Sequence, residues 1–173
     1  MPRVLLALAV AATWALAGWS WPDLPPRFPV HFDARGNPDG WAAKSALAWF
    51  ALPGLGTVIA ALLGLGLPAW IVAMARSNSP WLNVPNKKAF AALPEDARVR
   101  AVAGPVQWLI VLAIALQALF AWIVYGGARV ASGEWRTLPS WPSWLLVAAV
   151  VVCATAQAFF GARAIRREVE RAR

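Results

Sequence analysis

Residues 101–128 read AVAGPVQWLIVLAIALQALFAWIVYGGA, without one Asp, Glu, Lys, Arg or His. About 20 apolar residues in a helix cross a hydrocarbon core about 30 Å thick. In lipid the backbone must satisfy its own N–H and C=O groups, so such a segment is helical. Three more stretches share this lack of charge: Val4–Pro22, Ser45–Ala75 and Thr137–Ala162. The sequence therefore predicts an all-α membrane protein with four transmembrane helices, at about residues 4–21, 46–75, 105–128 and 139–163. They form a single membrane domain over 1–173, with an outer loop at 22–44 and a cytoplasmic loop at 76–104.

The composition agrees. Of 173 residues, 60% are hydrophobic and 14% charged, and the mean hydropathy is +0.56. Soluble domains hold roughly 45–50% apolar and about 25% charged residues. A soluble chain of this length could not hide the excess. These figures argue against a soluble enzyme, a disordered tail and a disulfide scaffold, and the lone Cys153 has no intramolecular partner.

Charge placement orients the chain. With the N-terminus inside, the inner segments hold Arg3, Arg76, Lys87, Lys88, Arg98, Arg100, Arg163, Arg166, Arg167, Arg171 and Arg173. The outer loops hold Arg27, Arg35, Lys44, Arg129 and Arg136. The positive-inside rule then predicts that both termini are cytoplasmic. Against four acids on each side, the inner face carries +7 of the net +8. Anionic headgroups of the inner leaflet are the expected partner of that charge; no nucleic-acid recognition element accompanies it. Met1-Pro2-Arg3 and Ala15-Leu16-Ala17 also fit a signal peptide cleaved near residue 17. Because apolar character continues to Trp21, an uncleaved anchor is the expectation.

The outer loop is the least ordinary segment. Five prolines exclude a regular helix from much of residues 22–44. Phe28–Phe32 is extended in character, and Asn37-Pro38-Asp39-Gly40 predicts a turn. In the second span Pro53-Gly54 is expected to kink the helix or end its first two turns, and Pro68 to kink it again. Gly56, Ala60, Gly64 and Pro68 form a small-residue stripe, read first as packing within the chain. Leu93-Pro94-Glu95-Asp96 predicts a helix start, and Gly104-Pro105 an interruption before the third span. Of the 12 tryptophans, Trp19, Trp21, Trp41, Trp122, Trp135, Trp141 and Trp144 fall near the outer interface and Trp81 near the inner one. That is the pattern of an aromatic belt.

Chemistry is sparse. His31 is the only histidine, with Asp23, Asp33, Asp39 and Lys44 in the same loop. His31, Asp33 and Asp39 are candidate metal ligands, but their spacing fixes no coordination geometry. A loop folded by Asx-type hydrogen bonds and ion pairs is the preferred reading, with no metal and no cofactor. No H-E-x-x-H, G-x-S-x-G or phosphate loop is present, and the chain is expected not to be an enzyme. The spans hold no ionisable residue of the kind that marks a transport path. Gln107, Gln117, Thr155 and Gln157 are expected to make interhelical hydrogen bonds.

Leu24-Pro25, Phe28-Pro29, His31-Phe32-Asp33, Gly36, Pro38-Asp39-Gly40-Trp41 and Lys44 together resemble the bacterial membrane-protein family known as domain of unknown function 1648. That domain also forms the N-terminal part of SdpI-type immunity proteins. Its members usually carry Asn at the place of Asp33. Pro85-Asn86-Lys87 is a second match, although Ala89-Phe90 departs from the aromatic pair that follows in relatives. The resemblance implies a multipass protein of the bacterial cytoplasmic membrane and no established catalytic residue. One branch of the family protects its producer from a secreted toxin and takes part in signalling. The expected function is a binding, sensing or immunity-like module. Its partner surface would be His31, Asp33, Gly36, Asp39, Gly40, Trp41 and Lys44, meeting an extracytoplasmic peptide, toxin or membrane protein. The alternatives are a small transporter or channel subunit, and a structural subunit of a larger membrane complex.

Overall fold

A computed structural model describes residues 1–171; Arg173, one of the charges predicted to lie inside, is outside the described residues. The chain runs α1 (Pro2–Ser20), β1 (Arg27–Phe32), β2 (Pro38–Ala43), α2 (Ala46–Ala61), α3 (Leu67–Arg76), α4 (Lys87–Ala91), α5 (Glu95–Ala131) and α6 (Ser140–Arg171). Four helical stretches are long and apolar enough to cross a membrane: Pro2–Ser20, Ala46–Arg76, Glu95–Ala131 and Ser140–Arg171. The chain is a multipass membrane protein, mostly helical. Among the described residues, the departure from the all-helical expectation lies within 22–44, where β1 and β2 pair as an antiparallel hairpin.

The prolines act unequally. Pro53 lies inside α2 without ending it, and Pro105 lies inside α5, which runs unbroken from Glu95. Residues 95–104 of the predicted loop 76–104 thus belong to α5, and Gly104-Pro105 does not interrupt the helix. Helix length explains this: α5 keeps its hydrogen bonds on both sides of one missing donor, and neighbours pack the site. Pro68 does disturb the second span. It has no N–H for the carbonyl four residues back, and its ring crowds that carbonyl. A π turn at Leu62–Gly66 precedes it, with the Leu67 N–H reaching the Leu62 carbonyl.

The helix starts have local causes. Ser45 caps α2, its hydroxyl accepting from the Ala48 N–H at 3.2 Å. Glu95 and Asp96 stand in the first turn of α5, behind Pro94, where the helix dipole favours acids.

α5 is the central helix and packs against α1, α2, α3 and α6. The small-residue stripe is buried at Gly56, Ala60, Gly64 and Pro68. A Cβ at Gly56 would press on Phe120 and Gln117, and one at Gly64 would overlap Leu6. The stripe thus serves packing within the chain. Gln117 is 1% exposed. Its Nε2 donates to the Gly56 carbonyl, and its Oε1 faces the Thr13 hydroxyl at 3.3 Å. One side chain of α5 therefore engages α1 and α2 together. The Thr13 hydroxyl has a single proton, shared between Gln117 and the Ala9 carbonyl at 3.0 Å.

The end opposite the hairpin is closed by a folded cap. Leu82, Val84, Phe90 and Leu93 pack with Ala75, Ala97, Val102, Ile165 and Val169. Arg98 ties this cap together. Its guanidinium donates to the carbonyls of Ala75 at 2.7 Å, Arg76 at 2.8 Å and Leu93 at 2.6 Å. Two of these are terminal carbonyls of α3, which lack intrahelical donors.

Candidate functional site

The hairpin positions the residues singled out in the loop. The turn is Asp33–Asn37, not the predicted Asn37-Pro38-Asp39-Gly40, whose last three residues belong to β2. Asp33 decides the competition. Its Oδ1 accepts from the backbone N–H groups of Arg35 and Asn37, both at 2.8 Å, and its Oδ2 from Asn37 Nδ2 at 2.9 Å. An Asx-type turn of this kind pre-empts the weaker Pro-Asp-Gly signal. The Asn37 side chain, and then its backbone N–H, hold the Asp33 carboxyl below its ordinary range.

Two bulges shape the strands. Pro29 pairs with Trp41, His31 with Gly40 and Phe32 with Pro38. That register leaves Val30 extra on β1 and Asp39 extra on β2, and such bulges re-aim side chains. His31 Nδ1 and Asp39 Oδ1 lie 2.6 Å apart, on side chains 72% and 48% exposed. Gly40 is required beneath them, because a Cβ there would stand 2.8 Å from the His31 Cβ.

The hairpin is anchored on three sides. Lys44 Nζ donates to the Leu24 carbonyl at 2.7 Å and the Pro22 carbonyl at 3.2 Å, and it sits 5.0 Å from the centre of the Trp21 ring. Phe28 is buried, edge-on to Trp49 at 5.1 Å. Trp49 Nε1 in turn donates to the Ala17 carbonyl at 2.8 Å. At the tip, the Leu138 N–H donates to the Gly36 carbonyl at 2.8 Å, and Trp144 Nε1 to the Ala34 carbonyl at 3.3 Å.

The candidate residues thus divide. Asp33, Gly36, Gly40 and Lys44 build and fasten the hairpin. His31, Asp39 and Trp41 remain exposed on it. Pro85, Asn86 and Lys87 lie at the opposite end. There Asn86 takes a left-handed conformation (φ 53°) before α4, and Lys87 Nζ donates to the Pro80 carbonyl. This motif folds the cap and does not meet the hairpin. Among the described residues, no three His, Cys, Asp or Glu side chains gather as metal ligands; Asp33 is turned into its own loop, away from the His31–Asp39 pair.

The hairpin also roofs a crevice of about 580 Å³. Its walls include Leu52 and Leu55 of α2, Leu119 and Ile123 of α5 and Val147 of α6, with His31 at the hairpin side. Sequence reading misses these wall residues, because helices apolar on all sides carry no periodic signal to separate a crevice face from a lipid face.

Trp19, Trp41, Trp141 and Trp144 are exposed on elements at the hairpin end, and Trp81 is exposed at the other. Trp122, Tyr125 and Trp135 cluster with centroids 5.6–6.2 Å apart. Exposed indoles at both ends of an apolar bundle are what a membrane interface favours.

No curated protein and no solved structure matches the chain. Residues 8–57, which comprise most of α1, the whole hairpin and α2 as far as Thr57, match the family described as Domain of unknown function (DUF1648).

Proposed function

We propose that the chain is a non-enzymatic membrane protein whose hairpin recognises a peptide, toxin or membrane-protein partner outside the bacterial cytoplasmic membrane. The observation that carries the reading is the rigid presentation of His31, Asp39 and Trp41. Three sets of contacts fix the hairpin to the helices, yet these three side chains remain exposed. Polar and aromatic groups on a fixed loop are favoured recognition positions. The crevice beside His31 gives an apolar partner segment a place to enter. The inner excess of Lys and Arg supports cytoplasmic termini and an outer hairpin. A sensing or immunity-like role is the corresponding cellular function. The hydrogen bonds that occupy Gln117 support a packing role for it, against a transport path.

The test is a deletion strain exposed to secreted toxins and envelope stress. Wild-type protein should restore tolerance. His31→Ala or Asp39→Ala protein, present in the membrane at equal level, should not. Full protection by a His31→Ala/Asp39→Ala/Trp41→Ala variant would overturn the reading.

A further inference from the structure

We infer that the groove between α5 and α6, at the end opposite the hairpin, binds the phosphate headgroup of an anionic phospholipid. The inference does not depend on what the hairpin recognises. The groove, about 420 Å³, is lined by Gly104, Trp108, Phe160, Arg163, Ala164 and Arg167. Its form follows from small residues. α5 and α6 cross closely where Gly161 meets Pro105; a Cβ on Gly161 would stand 3.1 Å from the proline ring. Beside that crossing, Gly104 and Ala164 carry too little side chain to fill the space.

The chemistry is layered. Trp108 and Phe160 stack with centroids 5.8 Å apart and planes 8° from parallel, an apolar floor for the start of an acyl chain. One helical turn further along α6 stands Arg163, the first charge after the uncharged stretch Thr137–Ala162. Arg167 follows at i+4, on the same face. Both arginines are exposed, and no acid lines the groove. Glu168, the acid beside Arg167, is engaged by Arg100 at 3.5 Å and Arg171 at 2.7 Å. Two guanidinium groups in a groove lined by no carboxylate, above an aromatic floor at the end of a membrane span, complement a phosphodiester above its acyl chains. Another groove at the same end, with Arg3 and Arg76, contains Glu95 and so offsets part of its own charge.

The test titrates the detergent-solubilised full chain with phosphatidylglycerol or phosphatidylcholine of identical acyl chains, read by native mass spectrometry. Wild-type protein should retain phosphatidylglycerol preferentially. The Arg163→Gln/Arg167→Gln variant should bind it about 25-fold more weakly, from about fivefold per arginine. The Arg166→Gln/Lys88→Gln variant, equal in charge but outside the groove, should change by less than about threefold. Trp108→Ala should weaken lipid retention as well. Equal binding of the two lipids, or equal losses in the two double variants, would overturn the inference. Displacement of phosphatidylglycerol by excess inorganic phosphate would assign the site to a free anion and overturn it too.

Discussion

Leu138 and Gly36 meet backbone to backbone: the Leu138 N–H donates to the Gly36 carbonyl at 2.8 Å, and the Leu138 carbonyl fills the space where a Gly36 Cβ would stand. Gly36 also has φ +85°, which L side chains rarely adopt. The connection between α5 and α6 therefore holds the tip of a hairpin from the other half of the chain.

Gly36→Ala should detach the tip. Left-handed strain costs about 1–2 kcal/mol, and the clash adds to it. Gly133 is the control: its φ is +78°, and nothing lies within 4 Å of the place a Cβ would take. Gly133→Ala should carry the strain alone. Hydrogen exchange should show faster exchange at Leu138 in Gly36→Ala and unchanged exchange there in Gly133→Ala.

Asp33 should make the hairpin sensitive to acid. Its folded pKa lies below the ordinary value of 3.8 because Asn37 donates to it twice. The stabilisation is full above the ordinary value and is lost as pH falls through the lower, folded one. Trp41 and Trp144 fluorescence should report tip opening in that acid window. Asp33→Asn retains an acceptor for the two backbone N–H groups, in keeping with the Asn usual at this place in the resembling family. Its response between pH 2 and 4, about the range where aspartates titrate, should be smaller than that of the wild type.

Gln117 and Thr13 should differ in weight. Gln117→Ala removes the link to both neighbouring helices and opens a cavity, at about 2–3 kcal/mol. Thr13→Val removes one partner of a shared hydroxyl, and interhelical hydrogen bonds in membranes average about 0.6 kcal/mol. Unfolding in mixed micelles should rank the two in that order.

The four spans are legible in the sequence because lipid excludes charge, and charge is read directly from residues. The burial of Gly56 and Gly64 follows from the same logic of small side chains. The hairpin is half legible. Phe28–Phe32 shows as extended, but the turn is misplaced because Asp33 competes through hydrogen bonds that depend on Asn37 arriving four residues later. Pro105 misleads because a proline's cost in a helix depends on what packs around it, here Gly161 of α6. The crevice has no signal at all, since Leu52, Leu119 and Val147 look alike whether they face lipid, protein or a gap.

Arg98 carries the last prediction. In sequence it is one more inner cation, yet its side chain joins three carbonyls of two segments at 2.6–2.8 Å. A lysine keeps the charge but cannot span that fork, because its ammonium is a point donor on a flexible stem. Arg98→Lys should therefore recover only a minority of the loss seen in Arg98→Ala, which hydrogen bonds from a charged group put at about 1.5–3 kcal/mol. The loss should be local first. Ala75 and Leu93 bracket the cap that Leu82, Val84 and Phe90 seal, so limited proteolysis should cut within residues 77–94 before the spans unfold. Equal protease resistance of Arg98→Ala and wild type would mean that apolar packing alone holds the cap.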